Sequence, residues 1–359
     1  MLTMLTVVVT ALLPSGLVAT NAEGVDTPYA LVPAGAEAVT GRVSYGDLPG
    51  GVEADTDPAG SVLFVTVSEP AQSTLGYWVS RIEPEIRFMT HEEKYPRRQT
   101  PAEQRRASLQ MMATSAQVAQ YVALTRAGFG PTIEGQVIVN APMCAEATED
   151  RCVERAELRP ELRVDDIIAA VDGTEVSTVE EIAAALAGRV PGERVRVTIE
   201  RGGEEPATVE LELVPSPTDP EVGIIGFEPG QTVWVSLPFE VDIDTGEIGG
   251  PSAGLAFSLT LVDELTGGDL LGGHDVAVTG TIDLDGDVGA IGGIVQKASA
   301  VRQAGVPYFL VPAGQRQDDL DAAREVAGDD VEIIPVATFD EAISALERIG
   351  GDPPDVLVS

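Results

Sequence analysis

Residues 249–305 constrain this chain more than any other stretch. They open on Gly249-Gly250-Pro251-Ser252-Ala253-Gly254 and run on to Gly292-Gly293-Ile294-Val295-Gln296-Lys297. Gly-Gly-Pro ahead of an apolar run predicts a loop turning into a helix, with Pro251 at the first helical position. Ser252 then falls in the first turn, among backbone N–H groups that lack an intrahelical partner. Such a turn is a ready-made setting for an oxyanion. A second helix is predicted to begin after Gly292-Gly293 and to stop near Gly305. Its apolar stripe is Ile294, Ala298 and Val301, and Lys297 lies inside that stripe rather than opposite it.

Composition sharpens the point. The chain has 22 Lys+Arg residues, and only Lys94 and Lys297 are lysine. A chain that otherwise uses arginine has kept a lysine on a helix face patterned for burial. Guanidinium stays protonated, whereas a desolvated ammonium can lose its proton. Serine activated by a neutral lysine is a known form of nucleophile plus base. A capping serine and a lysine snorkelling to water are the plain alternatives for each residue alone. Their occurrence together favours the dyad.

At these residues a family resemblance emerges. Gly250-Pro251-Ser252-Ala253-Gly254 resembles the nucleophile motif of Lon-type serine proteases. Val278-Thr279-Gly280-Thr281-Ile282-Asp283-Leu284-Asp285-Gly286 resembles the hairpin that follows it. Ile291-Gly292-Gly293-Ile294-Val295-Gln296-Lys297-Ala298 resembles the segment with the catalytic lysine, and the spacing from Thr279 to Lys297 fits without a gap. The resemblance spans roughly residues 220–350. It implies Ser252 as nucleophile, Lys297 as general base, Thr279 as the residue that orients the lysine, and Gly250, Pro251 and Ala253 as the nucleophile and oxyanion loop. The sequence departs from the family at Gly249, where Lon proteases often carry an acidic residue. Lon-type domains often form hexamers, which leaves a homo-oligomer open.

The formal net charge is −36, from 58 acidic and 22 basic side chains. No basic patch is available, so nucleic acid is excluded as a partner. Arginine over lysine on an acidic chain fits salt adaptation and a biased base composition equally. Met1 to Ala22 is uncharged and mostly apolar, which predicts a membrane span or the apolar region of a signal peptide. Pro14 and Gly16 interrupt it, and the basic flank of a signal is missing; Thr20-Asn21-Ala22 would serve as a cleavage site. Cys144 and Cys152 lie eight apart in a polar stretch, so a disulfide is expected in an exported chain. A zinc site is not expected, because only His91 and His274 could assist.

Along the chain, residues 25–100 read as extended, with β-type content at Glu37–Tyr45 and Ser61–Glu69. Thr100-Pro101-Ala102-Glu103 reads as a capping box. It opens a long helix to about Arg126, with Leu109, Met112, Ala116, Ala119 and Ala123 as its packing stripe. In residues 128–215 the order changes. Strands are expected at Gln136–Asn140, within Leu162–Gly173, and at Arg194–Arg201 and Ala207–Val214, with a helix capped at Thr178-Val179-Glu180-Glu181. This order resembles a PDZ domain, which binds peptide C-termini by adding a strand to a sheet edge. Gly128-Phe129-Gly130 is the candidate carboxylate-binding loop, and the Cys144–Cys152 segment reads as an insertion. A degenerate PDZ domain acting as a spacer is the alternative. From Glu221 onward the pattern is α/β, with a strand at Gln231–Pro238, and the alternation of strands and helices argues for partly parallel pairing.

Asp283-Leu284-Asp285-Gly286-Asp287 is not an EF-hand loop, because Val288 and Ile294 occupy its Gly and Glu positions. Neither Lys94 nor Lys297 lies in a phosphate-binding P-loop, so the motor of full-length Lon is not expected, nor is any cofactor or metal. His91 and His274 lie in no triad motif.

The expected architecture is a multidomain α+β/α/β chain. A signal anchor or signal peptide covers 1–24, and a β-rich region with a long helix covers 25–127. A PDZ domain, β-rich with two helices, covers 128–216. A Lon-type proteolytic α/β domain covers 220–350, and 351–359 is a tail. The expected activity is that of an extracytoplasmic serine endopeptidase, membrane-anchored or secreted, acting on protein or peptide substrates. Its PDZ domain would recruit or gate substrate through C-terminal peptides. The competing reading is an anchored PDZ scaffold with an inactive protease-like domain.

Overall fold

The computed structural model describes residues 26–354 apart from 84, 96–99, 149–150, 203, 218 and 268, and omits the side chains of 79, 103, 134, 145–148, 151–154 and 231–234. The expected Met1–Ala22 segment lies outside the described residues, and among those described no helix is long and apolar enough to cross a membrane. The chain forms two compact units, residues 1–131 with 237–359, and residues 132–236.

In the first unit β1 (Tyr29–Ala38), β2 (Ser61–Ser68), β3 (Arg87–Met89), β4 (Asp275–Val278), β5 (Tyr308–Pro312) and β6 (Glu332–Val336) form one six-stranded sheet in the order β6-β5-β4-β2-β1-β3. β2, β4, β5 and β6 are parallel, and β1 is antiparallel to both β2 and β3. Its helices are α1 (Pro101–Arg126), α2 (Gly254–Thr266), α3 (Ile294–Ala304), α4 (Gln317–Ala327) and α5 (Phe339–Arg348). Strand residues alternate between the sheet's faces. Phe64, Val276, Val278 and Leu310 join the core that holds Met112 and Ala119 of α1, Leu255 and Phe257 of α2, and Phe339 and Leu346 of α5. Val65, Ala277, Phe309 and Val311 join the opposite core, with Ala298 and Val301 of α3 and Leu320 and Ala323 of α4.

Local sequence sets the helix limits. α2 is buried over its whole length from Gly254 to Leu265, so it can be apolar on every side. It ends at Gly267, at φ 65° in the left-handed region that a side chain disfavours. α3 starts after Gly293 (φ 72°) and stops at Gly305 (φ 73°), as the sequence predicts. Thr338 Oγ1 accepts the Glu341 N–H at 3.1 Å and caps α5. Asp283 Oδ1 accepts the N–H groups of Asp285 (3.1 Å) and Asp287 (2.9 Å), closing the hairpin between Thr281–Ile282 and Val288–Gly289.

Residues 25–127, expected as a region of their own, share this unit with 237–359. The reason is the sheet: β4 is buried on both faces, and without β2 one of its edges would stay unpaired. The α/β unit accordingly resumes at Leu237, and residues 220–236 belong to the second unit.

The second unit is an antiparallel sheet with strands in the order Ala207–Glu212, Arg194–Glu200, Ile167–Val171, Thr132–Pro142 and Phe227–Ser236. Val137, Ile168, Val197 and Leu211 pack on Ile182 and Leu186. Thr178 and Glu181 make a reciprocal capping box at the start of the Val179–Ala185 helix. Among the described residues this is the unit's one helix where two are expected. Residues 160–166 form turns ahead of the Ile167–Val171 strand, with Asp165 at φ 72° and the Asp166 carboxylate accepting the Arg163 N–H at 2.7 Å. Cys144 opens a hairpin, Cys144–Thr148 with Arg151–Arg155, and is disulfide-bonded; the side chain of Cys152 lies outside the described ones.

Candidate active site

The site is built from three pieces of backbone. The first is the loop Gly249–Ala253. Gly250 has φ 91°, a conformation suited to glycine, and its N–H donates to Ser108 O of α1 at 2.8 Å. Pro251 O accepts the Ser115 hydroxyl at 2.9 Å, again from α1. Ser252 O accepts two donors, Gly280 N at 2.9 Å and Thr279 Oγ1 at 3.2 Å. These bonds overturn one expectation. Pro251 and Ser252 do not lie in the first helical turn; α2 begins at Gly254 with Ala253 at its cap. With Ser252 O engaged by Gly280 and Thr279, the first α2 carbonyl taken by the following turn is Ala253 O, from Phe257 N at 2.9 Å.

The second piece is the end of β4, where Thr279 is buried and its N–H donates to Leu310 O at 3.0 Å. The third is the first turns of α3. Lys297 N donates to Gly293 O at 2.9 Å, and its side chain turns into the protein, with the residue only 2% exposed. Its Nζ stands 2.7 Å from Ser252 Oγ and 2.8 Å from Thr279 Oγ1. Burial disfavours the ammonium and brings its pKa down to about 7. The Thr279 hydroxyl has one proton, which it gives to Ser252 O; it therefore meets Lys297 as an acceptor. A neutral amine that donates to Thr279 keeps a lone pair free for the Ser252 hydroxyl.

The chain's other lysine is in a different setting: Lys94 is half-buried, with Nζ 4.5 Å from the Tyr29 ring centroid. His91 packs on Tyr29 and His274 on Tyr308. Among the described residues no group of three or more His, Cys, Asp or Glu is placed to hold a metal ion.

Ser252 remains half-buried at a cleft of about 790 Å³, whose lining includes the apolar Phe64, Val67 and Met112 and the acidic Glu69 and Glu247. β2 borders this cleft. Its ladder to β4 ends at Phe64, while its pairing with β1 continues to Ser68.

The sequence did not point to α1 as part of the site. Ser108 and Ser115 are one heptad apart, on the same helix face as Met112 and Ala119, and this small-residue face admits Gly249 and Gly254. A Cβ on Gly249 would lie 2.2 Å from Ser108 Oγ, and one on Gly254 would lie 2.7 Å from Ser115 Oγ. Gly249, the departure from the Lon pattern, is thus required by the approach of α1.

Residues 240–348 match the Lon protease (S16) C-terminal proteolytic domain, and residues 154–213 match the PDZ domain. A Lon protease of Xanthomonas oryzae pv. oryzae is 42% identical over 100 residues, 28% of this chain and 11% of that protein. One from Phenylobacterium zucineum is 33% identical over 168 residues, 46% of this chain and 20% of that protein. The chain thus spans a fifth or less of the length of these relatives. A solved PDZ domain of an SdrC-like protein from Listeria monocytogenes covers 26% of this chain and 85% of its own, at 17% identity and a TM-score of 0.19. The chain therefore carries a proteolytic domain of the Lon type, which supports a serine peptidase. The PDZ match lies ahead of it in sequence, an order consistent with a PDZ-containing Lon-like protease.

Proposed function

We propose that the chain is a serine endopeptidase in which Ser252 attacks the peptide carbonyl and Lys297 is the general base. The carrying observation is the 2.7 Å contact between Lys297 Nζ and Ser252 Oγ, with the amine desolvated. Neutral Lys297 takes the Ser252 proton as the Oγ–C bond forms, and the backbone N–H groups of Ser252 and Ala253 stabilise the oxyanion, since Pro251 has none and that of Gly250 is given to Ser108 O. Lys297 then returns the proton to the leaving amine as the C–N bond breaks. Water, deprotonated by Lys297, hydrolyses the acyl-enzyme and restores Ser252. Thr279 positions the amine. The chain needs no cofactor and no motor of its own for this chemistry. Substrate is an extended protein segment that adds to β2 beyond Phe64, where the ladder to β4 has ended.

The apolar Met1–Ala22 stretch and the bonded Cys144 favour an exported chain, anchored or released, with the site outside the cytoplasm. The PDZ domain recruits or gates substrate. The test is cleavage of an unfolded protein such as casein by the purified full chain. Ser252→Ala should abolish cleavage and labelling by a serine-reactive probe while the unfolding midpoint stays close to wild type. Residual cleavage within about tenfold of wild type would remove Ser252 from the role.

A further inference from the structure

We propose that the outward face of residues 74–82 docks on the surface of a lipid bilayer, with Leu75, Trp78 and Ile82 at the acyl-chain boundary and Arg81 among the lipid phosphates. The choice of a bilayer rests on the reading of Met1–Ala22 as a membrane anchor. Among the described residues, the three most exposed large apolar side chains are Ile82 at 82%, Trp78 at 57% and Leu75 at 55%, and all three fall in this one segment. Single apolar residues on a surface are ordinary, but a cluster of the largest ones marks a face that a partner covers.

Local structure turns this face outward. Thr74–Ser80 is a helix, and the Arg81 N–H donates to Tyr77 O at 3.1 Å, which carries the coil one residue further. Tyr77 is its inward side, buried with its ring centroid 4.8 Å from that of Phe88 in β3. Leu75 and Trp78, three apart, share a face turned to solvent, and Ile82 follows them. From Pro70 to Ile82 the one charged residue is Arg81, on a chain with 58 acidic and 22 basic side chains. Its guanidinium carbon stands 5.5 Å from the centroid of the Trp78 ring. An apolar cluster with an indole and a guanidinium, and without a carboxylate, has the composition of a membrane-interface site.

The backbone decides between a bilayer and a protein partner. The Gln72 N–H donates to Pro28 O at 2.8 Å, the Ala30 N–H donates to Pro70 O at 3.2 Å, and Tyr29 is bridged to Ala71. The chain just ahead of the helix is thus bonded to the chain just after the apolar stretch. Residues 23–27 can part Ala22 from Pro28 by about 20 Å at most. A stretch anchored in lipid as far as Ala22 therefore keeps this helix beside the bilayer, where docking is an intramolecular step.

The test uses the full chain in vesicles of phosphatidylcholine and phosphatidylglycerol, with or without bromine on the acyl chains. The chain has two tryptophans, Trp78 and Trp234, so Trp234→Phe leaves Trp78 as the sole emitter. The difference between wild type and Trp78→Phe gives the same signal if that variant does not fold. Trp78 emission should shift to shorter wavelength on vesicles, be lost when the lipids are brominated, and resist quenching by aqueous iodide. Leu75→Ser combined with Ile82→Ser should restore emission in brominated vesicles and open Trp78 to iodide, with the chain still bound. An alkaline carbonate wash tests the anchor by itself. If the washed chain stays with the vesicles while Trp78 is quenched by iodide and not by bromine, the anchor stands and the docking face is overturned. If carbonate releases a chain whose Trp78 was quenched by bromine, the docking face stands and the anchor falls. A chain released with Trp78 never quenched by bromine overturns both. Trp78 shielded from both quenchers would put a second copy, a protein partner or the apolar stretch itself on this face, and would overturn the proposal.

Discussion

Ser115 donates its hydroxyl proton to the carbonyl oxygen of Pro251 at 2.9 Å, tying α1 to the residue before the proposed nucleophile although the two are 136 positions apart. The bond holds the loop from behind and touches no reacting atom. Ser115→Ala leaves Pro251 O without this donor, at a cost of about 1–2 kcal/mol in stability. It should lower kcat by about tenfold through misplacement of Ser252, with KM little changed. Steady-state kinetics and thermal unfolding on the same preparation check this, and an unchanged kcat would separate α1 from the site.

Gly249 tests the same packing from the other side. Its missing Cβ would lie 2.2 Å from Ser108 Oγ and 2.9 Å from Ser108 Cβ. Gly249→Ala should destabilise the protein by about 1–3 kcal/mol through overpacking. Ser108→Gly in the same chain should restore part of that loss by opening the space. Gly249→Asp, which supplies the acidic residue frequent in Lon proteases, should be worse than alanine. Chemical denaturation of the four proteins measures the order. Wild-type stability for Gly249→Asp would show that the two segments can part at no cost.

Much of this arrangement can be read from the sequence. Gly293 and Gly305 bracket α3 where the residues predict it, and Lys297 faces inward as its place in the apolar stripe requires. Hairpin Thr281–Gly289 stands in the segment where the resemblance to Lon-type proteases implies one. What local pattern cannot supply is long-range pairing. Nothing in Ser61–Ser68 announces that it will lie beside Asp275–Val278, because a short apolar strand does not encode its neighbour. The N-terminal region therefore reads as a separate body although β1, β2, β3 and α1 complete the sheet and wall of the site. The displaced start of α2 has the same origin. Pro251 is a good first helical residue by local rules, but Gly280 and Thr279 take the carbonyl that such a helix would use.

A buried acidic pair gives the protein a pH-dependent cost. Burial raises the Glu264 pKa to about 7 and that of Asp263 to about 6, against ordinary values of 4.5 and 3.8. For an acid whose folded pKa is raised, stability is fully present below the unfolded pKa and lost as pH rises through the folded one. Wild type should therefore lose stability between about pH 4.5 and 7 from Glu264. Glu264→Gln keeps an oxygen to accept the Tyr45 hydroxyl, which now donates to Glu264 at 2.7 Å. It should be more stable than wild type by about 1–3 kcal/mol at pH 8, with the gain fading toward pH 4.5. Unfolding at several pH values decides this, and a gain that does not change with pH would assign the effect to packing.

Thr279 should act through the amine. Thr279→Val keeps the shape and removes the acceptor that takes a Lys297 proton, leaving the lone pair of the amine unaimed. A fall in kcat of about 10–100-fold is expected. Thr279→Ser restores the oxygen and should recover most of the rate, whereas a merely structural role for the methyl group would reverse the two results.

Lys297 offers the sharpest separation of chemistry from stability. Its pKa near 7 means that the neutral amine, the form able to accept the Ser252 proton, gains population as pH rises through 7. Cleavage rate should climb through that region and level off above it. The linkage sign is opposite to that of Glu264: the folded lysine binds its proton less well than the unfolded one. The folded state is therefore penalised at low pH and relieved as pH rises toward the unfolded value of 10.5. Lys297→Met keeps the length of the side chain, removes the buried charge, and should be more stable than wild type at pH 6 by roughly 2–4 kcal/mol. It should nevertheless be inactive. Lys297→Arg should also be inactive, because guanidinium keeps its proton, and it should be less stable because a permanent charge is buried. Unfolding midpoints and cleavage rates for the three proteins across pH 5–9 check all of this at once. A folded Lys297→Arg with near-normal turnover would end the general-base assignment even with Ser252 still essential. A Lys297→Met that loses both stability and activity would make the lysine a structural residue, held for its bonds to Ser252 and Thr279.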